Sequence, residues 1–214
     1  MTRARPEDTD LPNDRDLIEA DAADRPAVLN RLLDGHRGRV LRMVQMRLHP
    51  AVRARVDASD VIQEAYLEIH ERLDDYVANP RMSFFLWARR IAGDRLLKAH
   101  RFHMDAKRRD VRRQERGARS MPDVSTVALI DRIESERTSP SGGAQRAELH
   151  ERLVALLDEL SDIDREILCM RHFEELSNEE VAQELGIGKH AASKRYIRAL
   201  QRLRTRVGDD LPGA

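Results

Sequence analysis

Apolar residues in the first half of the chain recur at every third or fourth position, which is the spacing of an amphipathic helix. The pattern predicts helical segments from Leu17 to Leu48, from Asp60 to Leu73 and from Phe84 to His103. Gly35 and Gly38 lie between the two apolar groups of the first segment, and we expect them to break or weaken it. A short polar connection at residues 74–83 separates the last two helices.

The second half has the same periodicity over shorter distances. One apolar stripe runs from Leu149 to Leu160, and a second runs from Ile163 to Met170. Ser177, followed three residues later by Glu180, is the pattern of a capping box and predicts the start of a third helix. Gly186 ends that helix, and a fourth helix follows from about residue 189.

The halves are separated by a polar segment that ends in a run of serine, proline and glycine at residues 139–143. The sequence therefore predicts an all-α fold with two small helical domains joined by a flexible linker, the C-terminal one a four-helix domain with a helix-turn-helix. The predicted divisions are a disordered acidic tail at 1–24, a helical domain at 25–108, the linker at 109–145, the helix-turn-helix domain at 146–207 and a tail at 208–214.

Composition narrows the class of protein. Aromatic residues make up only 4 % of the 214, which argues against a β-sandwich, a barrel or a Rossmann sheet. The single cysteine, Cys169, excludes an internal disulfide framework and a cysteine-based zinc site. No apolar run approaches the roughly 18 residues of a membrane span. We therefore expect a cytoplasmic protein without a cofactor or a membrane contact.

Charge alternates along the chain, although 38 acidic and 38 basic side chains give a net charge of zero. Residues 57–80 hold seven acids and one base, whereas residues 87–119 hold twelve bases and four acids. Residues 148–184 hold twelve acids and three bases, and residues 187–206 hold seven bases and no acid. Such runs are often solvated helix faces, but two basic blocks also fit a polyanion that is held at two places. Opposite charge could also join residues 148–184 to residues 87–119.

The residues around Gly186 predict a helix-turn-helix. Ala182 is small enough for two helices to cross closely, and Gly186 tolerates the positive φ that the turn needs. The exposed start of the next helix carries side chains that can reach base edges and phosphates in a major groove. These are Lys189, His190, Ser193, Lys194 and Arg195. The competing interpretation is an ordinary helical corner with a solvated basic helix.

A second candidate surface lies on the helix that begins at Phe84, where aromatic and basic residues alternate. Aromatic rings stack on unpaired bases and cations follow the backbone, so the mixture is typical of single-strand binding. Phe84 lies on the apolar stripe and is better explained as a core residue. Phe85 and Trp87 cannot both share its direction, so we expect one of them to be available to a ligand.

Three motifs together resemble a bacterial sigma factor of the sigma-70 family, in its extracytoplasmic-function (ECF) class. They are Asp60-Val61-Ile62-Gln63-Glu64, the helix from Phe84 to Ala92, and Leu185-Gly186-Ile187-Gly188 followed by Lys194-Arg195 and Arg198-Ala199. The resemblance covers about residues 25–108 and 146–206. It implies a transcription initiation factor that is not an enzyme and has no catalytic residues.

The resemblance also implies partners and sites. The partners are core RNA polymerase, bound through its clamp helices and flap, and promoter DNA; members of the class are often inhibited by an anti-sigma factor. The implied polymerase-binding residues are Asp60, Val61, Gln63 and Glu64. The implied −10 and melting residues are Phe85, Trp87, Arg90, Asp94, Lys98 and Arg101, with a base-capturing loop at residues 75–83. The implied −35 residues are Lys189, His190, Ser193, Lys194, Arg195 and Arg198.

Some positions depart from the family pattern, and two other functions compete. Ala191 and Ala192 replace a common Thr-Val pair, and Asp94 replaces a common asparagine, so base preferences do not transfer. A stand-alone helix-turn-helix regulator would bind duplex DNA without polymerase, but it has no need of aromatic stacking platforms. A metal-dependent enzyme could use His100, His103 and Asp105 as ligands, although two histidines in a DNA-facing helix explain the same residues.

Overall fold

The computed structural model describes residues 12–104 and 160–207, and every regular element within these two ranges is helical. The first range contains α1 (Asp14–Glu19), α2 (Arg25–Arg47), α3 (Pro50–Arg53), α4 (Ala58–Glu71), α5 (Leu73–Ala78) and α6 (Phe84–Met104). The second contains α7 (Asp162–Leu168), a π-helix (Cys169–Phe173), α8 (Asn178–Leu185) and α9 (Lys189–Val207). The all-α prediction is thus confirmed. The predicted linker, the tail at 208–214 and the stripe at 149–159 lie outside the described residues.

Helices α2, α4 and α6 pack against one another and form the core of the first half. Their apolar stripes supply fully or almost fully buried side chains, including Leu29, Leu32, Ile62, Ile91 and Leu96. Burying side chains of this size removes apolar area from water, at about 25 cal/mol per Å². The packing therefore presents the opposite faces of α4 and α6 outward, and these faces carry most of the predicted site residues.

The predicted break in the first helical segment is wrong, because α2 continues without interruption through Gly35 and Gly38. Each glycine costs a helix interior about 1 kcal/mol relative to alanine. Both glycines are exposed, and the buried residues on either side of them, such as Leu33 and Val40, pack into one core. The burial of these apolar residues outweighs the low helix propensity of the two glycines.

The predicted disordered tail is also wrong in its second part, since α1 packs against the bundle. Asn13 and Asp16 form a capping box at the start of α1, and Leu17 is completely buried. Asp14 accepts a hydrogen bond from the backbone N–H of Phe84 at 2.8 Å and so caps the start of α6. Residues before 12 lie outside the described ranges.

The connection predicted at residues 74–83 is half helical, because α5 extends to Ala78. Tyr76 on α5 is buried, and its hydroxyl donates to the carbonyl of Met82 at 3.1 Å. This hydrogen bond closes the remaining loop against α5. The segment is therefore held by a buried aromatic ring rather than left as a plain polar connection.

The second half begins with α7, which Ser161 caps through a side-chain hydrogen bond to the N–H of Asp164. The π-helix follows without a break and ends where the N–H of Glu174 donates to the carbonyl of Cys169 at 3.0 Å. Glu175 then has a positive φ of 59°, which reverses the chain toward α8. The sequence pattern predicted one short helix in this segment. It did not predict that the last turn of that helix is a π-helix.

The two halves share a hydrophobic core. Ile167, Met170, Leu176 and Val181 belong to the same buried cluster as the residues of α2, α4 and α6. Helix α2 packs directly on the π-helix. The described parts of the two predicted domains are therefore in close contact.

Candidate nucleic-acid interface

The helix-turn-helix consists of α8, a tight turn and α9. The predicted capping box is present, with Ser177 Oγ accepting from the N–H of Glu180 at 3.1 Å and Glu180 accepting from the N–H of Ser177 at 2.8 Å. Gly186 adopts the left-handed conformation with φ 63°. Val181, Ala182 and Ala192 are buried between the helices. The predicted turn at Gly186 and the predicted close packing at Ala182 are both observed.

The start of α9 presents most of the predicted −35 residues to solvent. Lys189, His190, Lys194 and Arg198 are exposed, while Ser193 and Arg195 are half-buried. Two of the cations have acidic neighbours: Lys189 Nζ lies 3.0 Å from Glu179, and Arg195 Nη1 lies 3.1 Å from Asp164. Helical spacing places the exposed group on one side of α9, so the structure brings these residues together.

Ile197 belongs to the same surface and was missed by the sequence analysis. It is 49 % exposed although it is large and apolar, and it lies between Lys194 and Arg198 along the helix. An apolar side chain on a recognition helix can contact the methyl group of thymine. Ile197 lies one residue before Arg198 in the sequence and away from the buried Ala192 and Ala199. That position is the signal that could have identified Ile197 as a surface residue.

Five of the predicted −10 residues form one stripe along α6. Trp87, Arg90, Asp94, Lys98 and Arg101 follow each other at intervals of three or four residues, and all are at least partly exposed. Trp87 stacks on Tyr76 with ring centroids 4.5 Å apart, which holds the indole in place. The stripe therefore combines an aromatic surface at one end with three cations along its length.

Phe85 lies apart from this stripe. Its side chain is 3 % exposed, and the guanidinium of Arg39 covers the ring at 3.6 Å from its centroid. We expected either Phe85 or Trp87 to be available to a ligand, and Trp87 is the more exposed of the two. Phe85 shares the inward face of α6 with Ala92 and Leu96.

The predicted polymerase-binding residues lie on α4. Asp60, Gln63 and Glu64 are exposed, whereas Val61 is 3 % exposed and faces the core. Leu67 was not predicted, yet it is 66 % exposed and lies one helical turn after Gln63 and Glu64. The exposed face of α4 is therefore acidic with an apolar residue in its middle.

A cluster of buried charges joins the two halves. Arg47 of α2, Arg89 of α6 and Glu174 have fully buried side chains. Arg47 Nη1 lies 2.7 Å from Glu174, and Arg89 Nε donates to Glu174 Oε2 at 2.6 Å. Glu166 contacts both arginines. Glu184 of α8 accepts from Arg89 Nη1 at 2.7 Å and from Arg90 Nε at 2.9 Å.

Burial and charge act in opposite directions on Glu174. Burial alone raises the pKa of a carboxyl group, but Arg47 and Arg89 outweigh it and lower the pKa of Glu174 to about 2. The carboxylate is therefore ionised at neutral pH. Cys169 lies beside it, with its Sγ donating to Glu174 Oε1 at 3.4 Å. Burial, first of all, raises the pKa of that thiol well above its ordinary value.

Two more arginines of α2 bind the backbone at the end of the π-helix. Arg39 Nε donates to the carbonyl of Glu174 at 2.8 Å, and Arg42 Nε donates to that of Phe173 at 2.6 Å. These carbonyls are acceptors that a helix end leaves without an intrahelical partner.

The charge pattern predicted contact between residues 87–119 and residues 148–184. The ion pairs that Arg89 and Arg90 form with the second half confirm this contact. The arginines of α2 were missed, although Arg47 continues the apolar stripe of Met43 and Val44.

The metal site of the competing interpretation is not formed by the described residues. His100 Nε2 accepts a hydrogen bond from the N–H of His49 at 3.3 Å, and Asp105 lies outside the described residues. Within residues 12–104 and 160–207, no group of three or more His, Cys, Asp or Glu side chains could hold a metal ion. None of the helices in those ranges has the length and apolar character needed to cross a membrane.

Comparison with known proteins finds a family match within the second half. Residues 156–205 match the family model described as "Sigma-70, region 4", which confirms the predicted resemblance over that segment. The search of curated proteins finds no match to the sequence. Among solved structures, the chain is similar to CnrH in its complex with the cytosolic domain of CnrY, with a TM-score of 0.52 and 20 % identity. That match covers 90 % of this chain and 95 % of CnrH, and at this identity it describes the fold.

Proposed function

We propose that this chain is a sigma factor of the ECF class, which binds core RNA polymerase and directs it to promoters. The observation that carries the proposal is the region-four match at residues 156–205, which falls on a helix-turn-helix with an exposed cationic recognition helix. The fold similarity to CnrH extends over most of the chain and supports a related organisation of the first half. The protein acts as a DNA-binding subunit in the cytoplasm and not as an enzyme.

The recognition helix α9 reads the −35 element. Its N-terminal part enters the major groove, where Lys194 and Arg198 reach phosphates or guanine edges and Ser193 reaches a base or a phosphate. His190 and Lys189 lie at the helix start and add further contacts. Residues 187–206 contain no acid, so nothing on this segment opposes the approach of DNA.

The stripe on α6 binds the opened −10 element. Trp87 offers a stacking surface at the edge of the duplex, and Arg90, Lys98 and Arg101 follow the phosphates of the unpaired strand. The end of α5 and the loop before α6, together residues 75–83, receive a flipped base. Melting then draws its energy from stacking and backbone contacts, without nucleotide hydrolysis.

The exposed face of α4 binds polymerase. Asp60, Gln63 and Glu64 present acidic and amide groups to the clamp helices, and Leu67 adds an apolar contact among them. A charged rim around an apolar centre is the usual arrangement of a protein interface. The helix-turn-helix domain contacts the flap of the enzyme. CnrH was solved with a protein partner, the cytosolic domain of CnrY, and we infer a comparable inhibitory partner for this chain.

A gel shift on a pre-melted promoter fork tests the proposal, with this protein alone, with core polymerase alone and with both. We expect a specific complex only when both proteins are present. Lys194→Ala should weaken this complex by about tenfold, because it removes one major-groove or phosphate contact, and Trp87→Ala should weaken it on forks by a similar factor.

The control is Arg31→Ala, which removes a positive charge from the exposed side of α2 and should leave the complex unchanged. Tight duplex binding by the protein alone, with no effect of polymerase, would contradict the proposal and support the stand-alone regulator.

A further inference from the structure

Helix α1, which was predicted to be part of a disordered tail, contacts the first turn of α6. Asp14 of α1 accepts a hydrogen bond from the backbone N–H of Phe84 at 2.8 Å. The first N–H groups of a helix have no partner within that helix, and Phe84 is the first residue of α6. A second open donor, the N–H of Leu86, binds Ser83 Oγ at 3.4 Å. One of the two acceptors at this helix end therefore comes from a residue 70 positions away.

The residue that Asp14 holds is also the centre of an aromatic cluster. The side chain of Phe84 is fully buried, and its ring centroid lies 6.0 Å from that of Tyr76 and 5.9 Å from that of Trp87. Trp87 in turn stacks on Tyr76, with ring centroids 4.5 Å apart. The backbone N–H of Trp87 donates to the carbonyl of Ser83 at 3.0 Å. A displaced first turn of α6 would therefore separate the indole from both neighbouring rings.

The charge of Asp14 also acts on Tyr76, the residue beneath the indole. Burial first of all, and then the nearby charge of Asp14, raise the pKa of the Tyr76 hydroxyl. This hydroxyl donates to the carbonyl of Met82 at 3.1 Å, and a raised pKa keeps the donated proton in place at neutral pH. Asp14 thus lies close to two of the groups that hold Trp87.

Helix α1 is anchored to the first half by its own contacts. Leu17 is completely buried and belongs to the core that α2, α4 and α6 form. A capping box closes the first turn of α1. After its last turn, the carbonyl of Ala20 accepts from Arg25 Nη2 of α2 at 3.0 Å. These contacts all belong to the first half, and they fix Asp14 relative to α6.

The indole of Trp87 is a stacking platform that works best when it is already in place. A side chain that must first be ordered binds more weakly, in proportion to the fraction of molecules in which it is ready. Trp87 is only half-buried, so it keeps surface for a base while Tyr76 and Phe84 hold the rest of the ring. The affinity for an unpaired base should therefore depend on the order of this one turn.

We propose that α1 is part of the −10 binding site and that Asp14 is the positioning residue of Trp87, because its hydrogen bond to the Phe84 N–H fixes the turn that carries the indole. The inference deepens the proposed function and rests on it. Asp14 acts through Phe84 and does not itself bind DNA. The −35 residues of α9 are not among the described hydrogen bonds and ion pairs of α1, so −35 binding should not depend on Asp14.

The fluorescence of Trp87 tests the positioning directly, because Trp87 is the only tryptophan of the chain. We expect Asp14→Ala to shift its emission to the red and to increase its quenching by acrylamide, since the indole would leave Tyr76 and gain contact with water. Asp14→Asn should keep the wild-type spectrum, because asparagine caps a helix as well as aspartate does. One cap is a small part of the stability of a domain, and circular dichroism checks that both variants are folded.

Binding of DNA in the presence of core polymerase tests the function of this contact. Asp14→Ala should weaken the complex with the pre-melted fork about threefold to tenfold, which is the effect expected when a lost cap leaves the site partly unformed. Binding to a duplex that carries the −35 element and ends before the −10 element should stay unchanged. Asp14→Asn should restore fork binding. A general loss of stability would not separate the two DNAs in this way.

The control is Ser161→Ala, which removes the side-chain cap of α7 and lies outside the predicted DNA surfaces. It should lower thermal stability by a similar amount and leave both Trp87 emission and fork binding unchanged. Wild-type emission and fork binding in Asp14→Ala, or equal effects of Ser161→Ala, would overturn the inference. A wild type that forms no polymerase-dependent fork complex would instead overturn the proposed function and with it the role of Asp14 in DNA binding, even where the emission of Asp14→Ala shows that Asp14 positions the indole.

Discussion

At the scale of single residues, Glu174 is a charged group in an environment that water does not reach. It is an ionised carboxylate without solvent contact, and its stability depends on two equally buried arginines. A buried pair adds little net stability compared with an apolar pair of the same shape, but loss of one partner leaves an uncompensated charge. The free energy of unfolding should therefore be sensitive to this one position.

We expect Glu174→Gln to lower the free energy of unfolding by about 3 kcal/mol, because Arg47 and Arg89 would lose the carboxylate they share. Urea denaturation measures the change. Glu175→Gln, at the next position but with a 44 % exposed side chain, should cost less than about 1 kcal/mol. Equal losses at both positions would show that the buried cluster is not responsible.

The same residue predicts a dependence on pH. The pKa of Glu174 is lowered in the folded protein from 4.5 to about 2, so the folded state favours the ionised form. The stabilisation is complete above pH 4.5 and is lost as the pH falls toward 2. The difference in stability between wild type and Glu174→Gln should shrink over this interval in acid denaturation. A difference that stays constant over that interval would contradict the assignment.

At the scale of elements, the helix-turn-helix was the most predictable part, because its signals are local. The capping box at Ser177 and the left-handed Gly186 both depend on residues at most four positions away. The π-helix and the continuous α2 were not predictable in the same way. Arg39 and Arg42 bind the backbone at the end of the π-helix, and those partners are distant in sequence.

Gly186→Ala should destabilise the domain by about 1–2 kcal/mol through the left-handed backbone alone, since a Cβ at Gly186 would meet no atom within 4 Å. Gly188→Ala is the matched control, because its Cβ position is equally open and its φ lies outside the left-handed region. It should change stability by less than about 0.5 kcal/mol. Thermal unfolding of both variants measures the difference in stability. Equal losses of stability in the two variants would contradict a role of the left-handed φ.

At the scale of the whole molecule, the two halves are joined by buried charge and by a common apolar core. Screening by salt acts mainly on exposed charges, and the central group of this contact has no exposed surface. The peripheral pair of Arg42 and Glu175, at 3.0 Å, is more accessible. The contact therefore differs from a loose attraction between two charged surfaces.

We expect the radius of gyration of the free wild-type protein to stay nearly constant as salt rises from low to high concentration. Arg89→Ala should increase the radius, because it removes the partner of both Glu174 and Glu184 and leaves their charge near an apolar interface. Small-angle scattering measures both. Expansion of the wild type by salt alone would contradict a contact held by buried groups.

The sequence by itself determined the helical fold class, the position of the helix-turn-helix and the placement of cations on one stripe of α6 and one side of α9. These features follow from periodicity, capping and turn chemistry, which act within a few residues. The tertiary structure alone decided that α1 is folded, that Phe85 is covered by Arg39 and that Glu184 pairs with Arg89 and Arg90. Such contacts join residues up to 95 positions apart, and a local pattern carries no information about which distant group will neutralise a buried charge.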